Sequence, residues 1–269
     1  MPPIPAHSYT CVEDVLGYYL ANSPPDHALW KTIEWRLFRE YDYPAPVLDL
    51  GCGDGVFARL VFDRPLTAGI DVLAGRVRKA GAAGAHVLPV TGDATTMPFA
   101  ANSFRTVFSG CAMEHVPPMP KMLAEIARIL QPGGQLITTV PSGYFSEYLQ
   151  LPTLLRRWGW EAGARWYGRL IPRLLTMVHL YHPAQWRMLM ADAGLELVEA
   201  RHFMPRPAIA LFDKLVIIGN MLQPVLWTIH GTKLHDQYVR WMYQKLLPYM
   251  RADAPTGGAL LLVARKPRS

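Results

Sequence analysis

One short run constrains this chain more than any other. Val47-Leu48-Asp49-Leu50-Gly51-Cys52-Gly53-Asp54-Gly55 is an apolar segment feeding a turn with glycine at every second position, and a helical stretch follows. Val47 to Leu50 reads as a buried strand, being short, apolar and ended by glycine. Glycines at alternate positions let the backbone turn tightly and let a ligand approach where a Cβ would block it. In parallel sheets the crevice lies at the carboxyl ends of the strands, so a nucleotide-type cofactor is the natural occupant. The dinucleotide fingerprint requires GxGxxG, but the residue three after Gly53 is Val56 and the last glycine stands at Gly55. The spacing GxGxG behind Asp49 points to another ligand.

From Pro46 onward apolar runs alternate with helical stretches. Strands are expected at Val47–Leu50, Leu66–Ile70, His86–Val90, Thr106–Ser109, Leu136–Val140, Leu195–Phe203 and Ala259–Ala264, and helices near 55–62, 74–82, 119–130 and 183–193. This alternation predicts an α/β fold with a parallel sheet covered by helices on both faces. Residues 1–44 form a helical segment, with helices over 12–22 and from an N-cap at Asp26 to Tyr41. Residues 45–141 form the core and 183–204 add a helix and strand. Two insertions interrupt the pattern: an aromatic, basic cap over 142–182 and an apolar stretch over 205–254. Residues 255–269 supply the last strand and a tail.

With these residues in order, the chain resembles the class I S-adenosylmethionine-dependent methyltransferases, in particular the broad type 11-like group acting on small molecules. The resemblance covers 45–141 well, 182–203 moderately and the insertions hardly at all. It implies a Rossmann-like seven-stranded sheet, mostly parallel with the last strand antiparallel. It implies a cofactor site at Asp49, Gly51, Gly53 and Gly55, with S-adenosyl-L-homocysteine as product. Asp71, 22 residues after Asp49, matches the acid that binds both ribose hydroxyls by charge-assisted hydrogen bonds. Asp93 and Ala94 match the segment meeting the adenine, and Ser109 the loop meeting the methionine part. Singly, Asp49 reads more readily as a cap on the following turn, Asp71 as a strand-end loop residue and Asp93 as an Asx-turn residue; the ordered set is what carries the resemblance.

A methylsulfonium is already a good methyl donor, so the chemistry asks for alignment and exclusion of water and needs no metal. If the acceptor is a hydroxyl or an acidic carbon a base helps, and His115 in Met113-Glu114-His115-Val116 is the candidate, against a hydrogen-bonding role within its loop. Tyr19, Tyr144, His179 and His182 are expected in the acceptor pocket, because the N-terminal helix and cap wall that pocket in the family. Ser109-Gly110-Cys111-Ala112 lacks the Asn/Asp-Pro-Pro-Tyr/Phe pattern of amino-group enzymes, and Cys111 reads as a small loop residue rather than a nucleophile.

The charge is unevenly spread, with 11 basic against 13 acidic side chains in residues 1–141 and 16 against 8 in 142–269. The excess therefore concerns the acceptor or a surface, not the cofactor. It fits an anionic lipophilic substrate, an anionic membrane, or RNA stacked on the cap's aromatic rings, and the apolar insertion favours lipid over nucleic acid. The three cysteines, far apart, signal neither a disulfide framework nor a zinc site, and fit a reducing cytoplasm. MPPIPAHSYT lacks the pattern of a signal peptide, and Leu215 to Ile229 is too short and interrupted to span a bilayer. The resulting expectation is methyl transfer to an oxygen or carbon of a lipophilic small molecule by a cytoplasmic or membrane-peripheral enzyme. The alternatives are an RNA methyltransferase and a non-catalytic cofactor-binding scaffold. Oligomeric state is not legible.

Overall fold

Seven strands form one sheet: β1 (Val47–Leu50), β2 (Leu66–Asp71), β3 (His86–Thr91), β4 (Phe104–Gly110), β5 (Leu130–Pro141), β6 (Glu196–Phe203) and β7 (Ala259–Arg265), in the order β3-β2-β1-β4-β5-β7-β6. All neighbours pair parallel except β7, which runs antiparallel to β5 and β6. The structure is a computed structural model describing residues 9–228, 230–250 and 254–268, without the side chains of 218 and 220–227. The first eight residues, read above for a targeting signal, therefore lie outside the described residues, as do most side chains in the later part of the apolar run.

The chain runs outward from β1 through β2 to β3, then returns to lay β4 on the other side of β1. That reversal opens a crevice at the carboxyl ends of β1 and β4, where open α/β sheets bind ligands. Both faces of the sheet are covered, as β7 shows. Leu260, Leu262 and Ala264 join the core with α5 (Met119–Ile129) and α9 (Pro183–Asp192), whereas Ala259, Leu261 and Val263 join the core on the opposite face. Alternate side chains of a strand point to opposite faces, so a strand buried on both reads as an unbroken apolar run.

On that second face lie α1 (Val12–Asn22), α2 (Pro25–Phe38) and the short α3 (Val56–Val61), while α4 (Ala74–Ala82) packs along β3. α2 begins one residue before the expected cap: Pro24 stands at the N-cap, and Asp26 sits in the first turn. The cap folds as α6 (Phe145–Tyr148), α7 (Gln150–Arg157) and α8 (Glu161–Leu174), and the apolar insertion as α10 (Arg206–Thr228) and α11 (Lys233–Leu246). The two insertions pack together. Asp213 of α10, 1% exposed, accepts from the Tyr167 hydroxyl at 2.6 Å and from the Leu151 N–H at 3.0 Å. Ala208, Ile209, Phe212, Leu215 and Val216 are buried. The first half of the apolar insertion thus belongs to the core, against α2, α6 and α7. Among the described residues no helix is long and apolar enough to cross a membrane.

Candidate functional site

The glycine turn follows β1 with Gly51, Gly53 and Gly55 all at positive φ (76°, 55° and 79°), a conformation that costs an L side chain about 1–2 kcal/mol. Their surroundings differ. A Cβ on Gly51 would lie 2.3 Å from the Ala112 Cβ, so this glycine lets the loop after β4 close on the turn. A Cβ on Gly53 would meet no protein atom and would stand in the cavity that Gly53 lines. Gly55, expected at the cofactor, lines neither of the two cavities described below, and a Cβ there would strike Ala85 and Ala80 at 2.6 and 3.0 Å. Asp71 closes the turn from beneath, its Oδ2 accepting from the Gly53 N–H at 3.0 Å and its Oδ1 from the Leu73 N–H at 2.8 Å.

A cavity of about 460 Å³ opens over β2 and β3, lined by Asp71, Asp93 and Ala94. Asp93 accepts from the Thr95 N–H at 2.7 Å, and this bond holds its carboxyl below the usual range. Val72 and Leu73 stand 68% and 50% exposed on the rim, and Val116, Pro117 and Met122 face the same space. Two carboxylates beside an apolar slot fit a ribosyl purine. Carboxylates accept from hydroxyl and amino groups, and a flat ring would cover the exposed Val72 and Leu73.

A second cavity of about 440 Å³ shares Gly51, Arg76, Cys111 and His115 with the first and continues beneath α1, α2 and the cap. Tyr19, expected in the acceptor pocket, and Asp49, expected at the cofactor, both line it. Asp49 is largely engaged within the protein, its Oδ2 lying 2.8 Å from His86 Nε2 while Gly69 makes room for the imidazole ring. Burial raises the Asp49 carboxyl, and the His86 bond opposes that rise.

The walls hold a charged group the sequence did not disclose. Glu34, fully buried on α2, accepts from Lys31 Nζ at 2.7 Å, Trp30 Nε1 at 3.0 Å and Thr139 Oγ1 at 2.6 Å, tying α2 to β5. Lys31 also donates to the Gly110 carbonyl at 3.0 Å and lies 4.5 Å over the Phe57 ring. Burial works against its charge, but Glu34 outweighs it and the ammonium is held above its ordinary value. The walls of the cavity and then the Lys31 charge push the His27 imidazole down to about 4, so it is neutral at pH 7. Cys111, at φ 50°, receives a bond from Trp30 Nε1 at 3.0 Å; burial drives its thiol far up, which leaves it protonated and a poor nucleophile.

His115 sits in the 3-10 turn Met113–His115, where the two cavities meet. Its Nδ1 lies 2.9 Å from the Thr176 carbonyl at the end of the cap. A carbonyl only accepts, so Nδ1 carries the proton and Nε2 keeps the lone pair. Nε2 is 3.8 Å from Glu114 Oε1, beyond hydrogen-bond range. Glu114 is 1% exposed and lines the second cavity, its Oε2 has no partner among the described residues, and burial raises its pKa.

Four expected residues stand elsewhere. Ser109 is buried inside the sheet and donates to the Leu50 carbonyl at 2.9 Å, joining β4 to β1. Tyr144, His179 and His182 line neither cavity. Tyr144 stacks on Tyr148 and meets the edge of His182, whose ring fills the space above Gly143 ahead of α9. His179 Nε2 lies 2.9 and 3.0 Å from the Val116 and Pro117 carbonyls and fixes the loop that forms one wall of the first cavity.

The model of the methyltransferase domain family matches residues 48–138. A demethylmenaquinone methyltransferase from Paenarthrobacter aurescens is 30% identical over 208 residues, which cover 70% of this chain and 74% of that protein. The chain belongs to the S-adenosylmethionine-dependent methyltransferases. A second relative of this methyltransferase is the ubiquinone/menaquinone biosynthesis C-methyltransferase UbiE of Paracoccus denitrificans, 32% identical over 143 residues; the match spans 49% of the chain and about half, 53%, of the relative's length. In fold it is similar to phosphoethanolamine N-methyltransferase 2 of Haemonchus contortus bound to S-adenosyl-L-methionine, with a TM-score of 0.55 at 19% identity over 96% of this chain and 57% of that one.

Proposed function

We propose that this protein moves the methyl group of S-adenosylmethionine to an oxygen or carbon nucleophile of a lipophilic small molecule carrying an acidic hydroxyl or a similar anionic group. The observation that carries the reading is the junction at Gly51, Arg76, Cys111 and His115 between a cavity holding Asp71 and Asp93 and a second one in which Trp30, Phe57, Leu175, Met177 and Phe212 stand beside Lys31, His115 and the acids Asp26, Asp49, Asp54 and Glu114. Asp71 would take the ribose hydroxyls, Asp93 and the Ala94 N–H the adenine, and the backbone at Gly51 and Gly53 the amino-acid end. The bound cofactor supplies a methyl group on a cationic sulfur, and the rest falls to this chain.

Trp30, Phe57, Leu175, Met177 and Phe212 line the acceptor cavity and exclude water. Lys31, kept cationic by Glu34, lies where it would favour the ionised form of an acidic acceptor. His115 Nε2 is the free base on the wall and would take the acceptor's proton. The names of the relatives direct the first trial to ring carbons of quinols. In the test, the protein is incubated with methyl-labelled cofactor and either a lipid extract or a quinol analogue, and label is expected in the organic phase. Cofactor binding by calorimetry without incorporation into any acceptor would overturn methyl transfer and leave a scaffold.

A further inference from the structure

The α7–α8 hairpin wears on its outside what soluble proteins ordinarily hide. Trp158, Trp160 and Trp166 are 77%, 60% and 59% exposed, and Leu174 and Val178 follow at 66% and 55%. Residues 150–178 contain five arginines and one acid, Glu161. That acid is shared between Arg156 and Arg165 at 3.8 Å each, and Arg157, Arg169 and Arg173 make no ion pair among the described residues. The cationic and apolar groups share one surface: Trp166, Arg169, Leu170 and Arg173 surround a single shallow groove, at the spacing that places residues on one side of a helix. The opposite side of the hairpin is anchored, with Leu155, Ala164, Tyr167 and Ile171 buried.

We infer that this face of the hairpin docks on an anionic phospholipid surface. Indole rings with an apolar body and one N–H donor suit the boundary between headgroups and acyl chains, and neighbouring guanidinium groups pair with phosphates. Single-stranded nucleic acid would use the rings as stacking platforms, but the exposed aliphatic Leu174 and Val178 stack no base. The hairpin also runs straight into the site: Leu175 and Met177 line the acceptor cavity, Thr176 accepts from His115, and the Val178 N–H donates to the Glu114 carbonyl at 2.9 Å. A docked hairpin therefore brings a wall of the acceptor cavity to the lipid, where a lipophilic acceptor can be drawn from the bilayer. That consequence rests on the methyl-transfer reading, whereas the docking does not.

Docking is measured by co-sedimentation with vesicles of phosphatidylcholine alone and of phosphatidylcholine mixed in equal parts with phosphatidylglycerol, with no acceptor present. The full chain should bind the anionic vesicles preferentially and more weakly as salt rises. Arg169→Gln with Arg173→Gln should lower that affinity about 30-fold, at about fivefold per arginine. Trp158→Ser with Trp166→Ser should lower it on the order of tenfold, the equivalent of withdrawing roughly 55 Å² of apolar surface. Both pairs are exposed, and each variant should keep its melting temperature and its affinity for S-adenosylhomocysteine. Absence of binding to either vesicle, anionic binding unchanged in both variants, or salt-sensitive binding of single-stranded RNA without vesicle binding would each overturn the inference. None of these outcomes bears on whether the protein transfers methyl groups.

Discussion

Asp71→Ala separates what this carboxylate does for the fold from what it does for the cofactor. Within the protein Asp71 accepts two backbone bonds, from Gly53 and Leu73, and it is half-buried. At about 0.5–1.5 kcal/mol each, their loss costs about 1–3 kcal/mol. A chain of this size loses about 2–4 °C per kcal/mol, so the melting point without ligand should fall by about 2–12 °C. Toward the cofactor the cost is larger. Two ribose hydroxyls donating to an ionised carboxylate are worth about 1.5–3 kcal/mol each, so affinity for S-adenosylhomocysteine should drop by at least about 100-fold. Asp71→Asn keeps one acceptor oxygen and should fall between wild type and alanine in both measurements. Titration calorimetry gives the affinity and circular-dichroism melting the stability. Affinity within about fivefold of wild type in the alanine variant would show that the ribose is held elsewhere.

The glycine turn offers a paired test: Gly55→Ala should cost about 2–5 kcal/mol of stability, from backbone strain plus the clash with Ala85 and Ala80. Gly53→Ala should cost only about 1–2 kcal/mol but abolish measurable cofactor binding, and equal effects of the two in urea melts would contradict the geometry. His115→Asn places an amide where Nδ1 stands, keeps a donor for Thr176, and removes the base at Nε2. Turnover should fall about 10²–10⁴-fold at unchanged cofactor affinity, and an unaffected rate assigns the proton to another group. Glu114 gives a pH signature. Its folded pKa lies above the ordinary 4.5, so above that pH the folded state holds a proton the unfolded state has released. This contribution is present in full below about 4.5 and is lost as pH rises through the folded value. Glu114→Gln should therefore gain on wild type in denaturant titrations as pH is raised, and a constant difference across pH would mean that the carboxyl is ionised in place.

The sheet was legible because its signal is local. Val47–Leu50 and Ala259–Ala264 are buried throughout and apolar but for Asp49, because burial on both faces demands such a run, whereas the edge strands β3 and β6 mix in polar and exposed positions. Gly51, Gly53, Asp71, Asp93 and Ala94 reach one crevice for a related reason: each stands at or just after a strand's carboxyl end, and the topology gathers those ends. Position along the chain does not set direction, and two residues expected at the cofactor lie apart from the cavities. Ser109 is at the end of β4, but its hydroxyl lies within the sheet, and Gly55 serves helix packing rather than the ligand. The wall of the second cavity was not legible, because its groups come from segments that nothing in the sequence ties together. Lys31 and Glu34 look like an exposed i,i+3 pair on a helix, and only the meeting of α2 with Thr139 of β5 and Gly110 of β4 buries them. One signal did exist: Glu34 interrupts the apolar face formed by Trp30, Ile33, Leu37 and Phe38. A carboxylate in that position must find donors or lose its charge. Here it finds three, and one of them is the Lys31 ammonium that lines the second cavity.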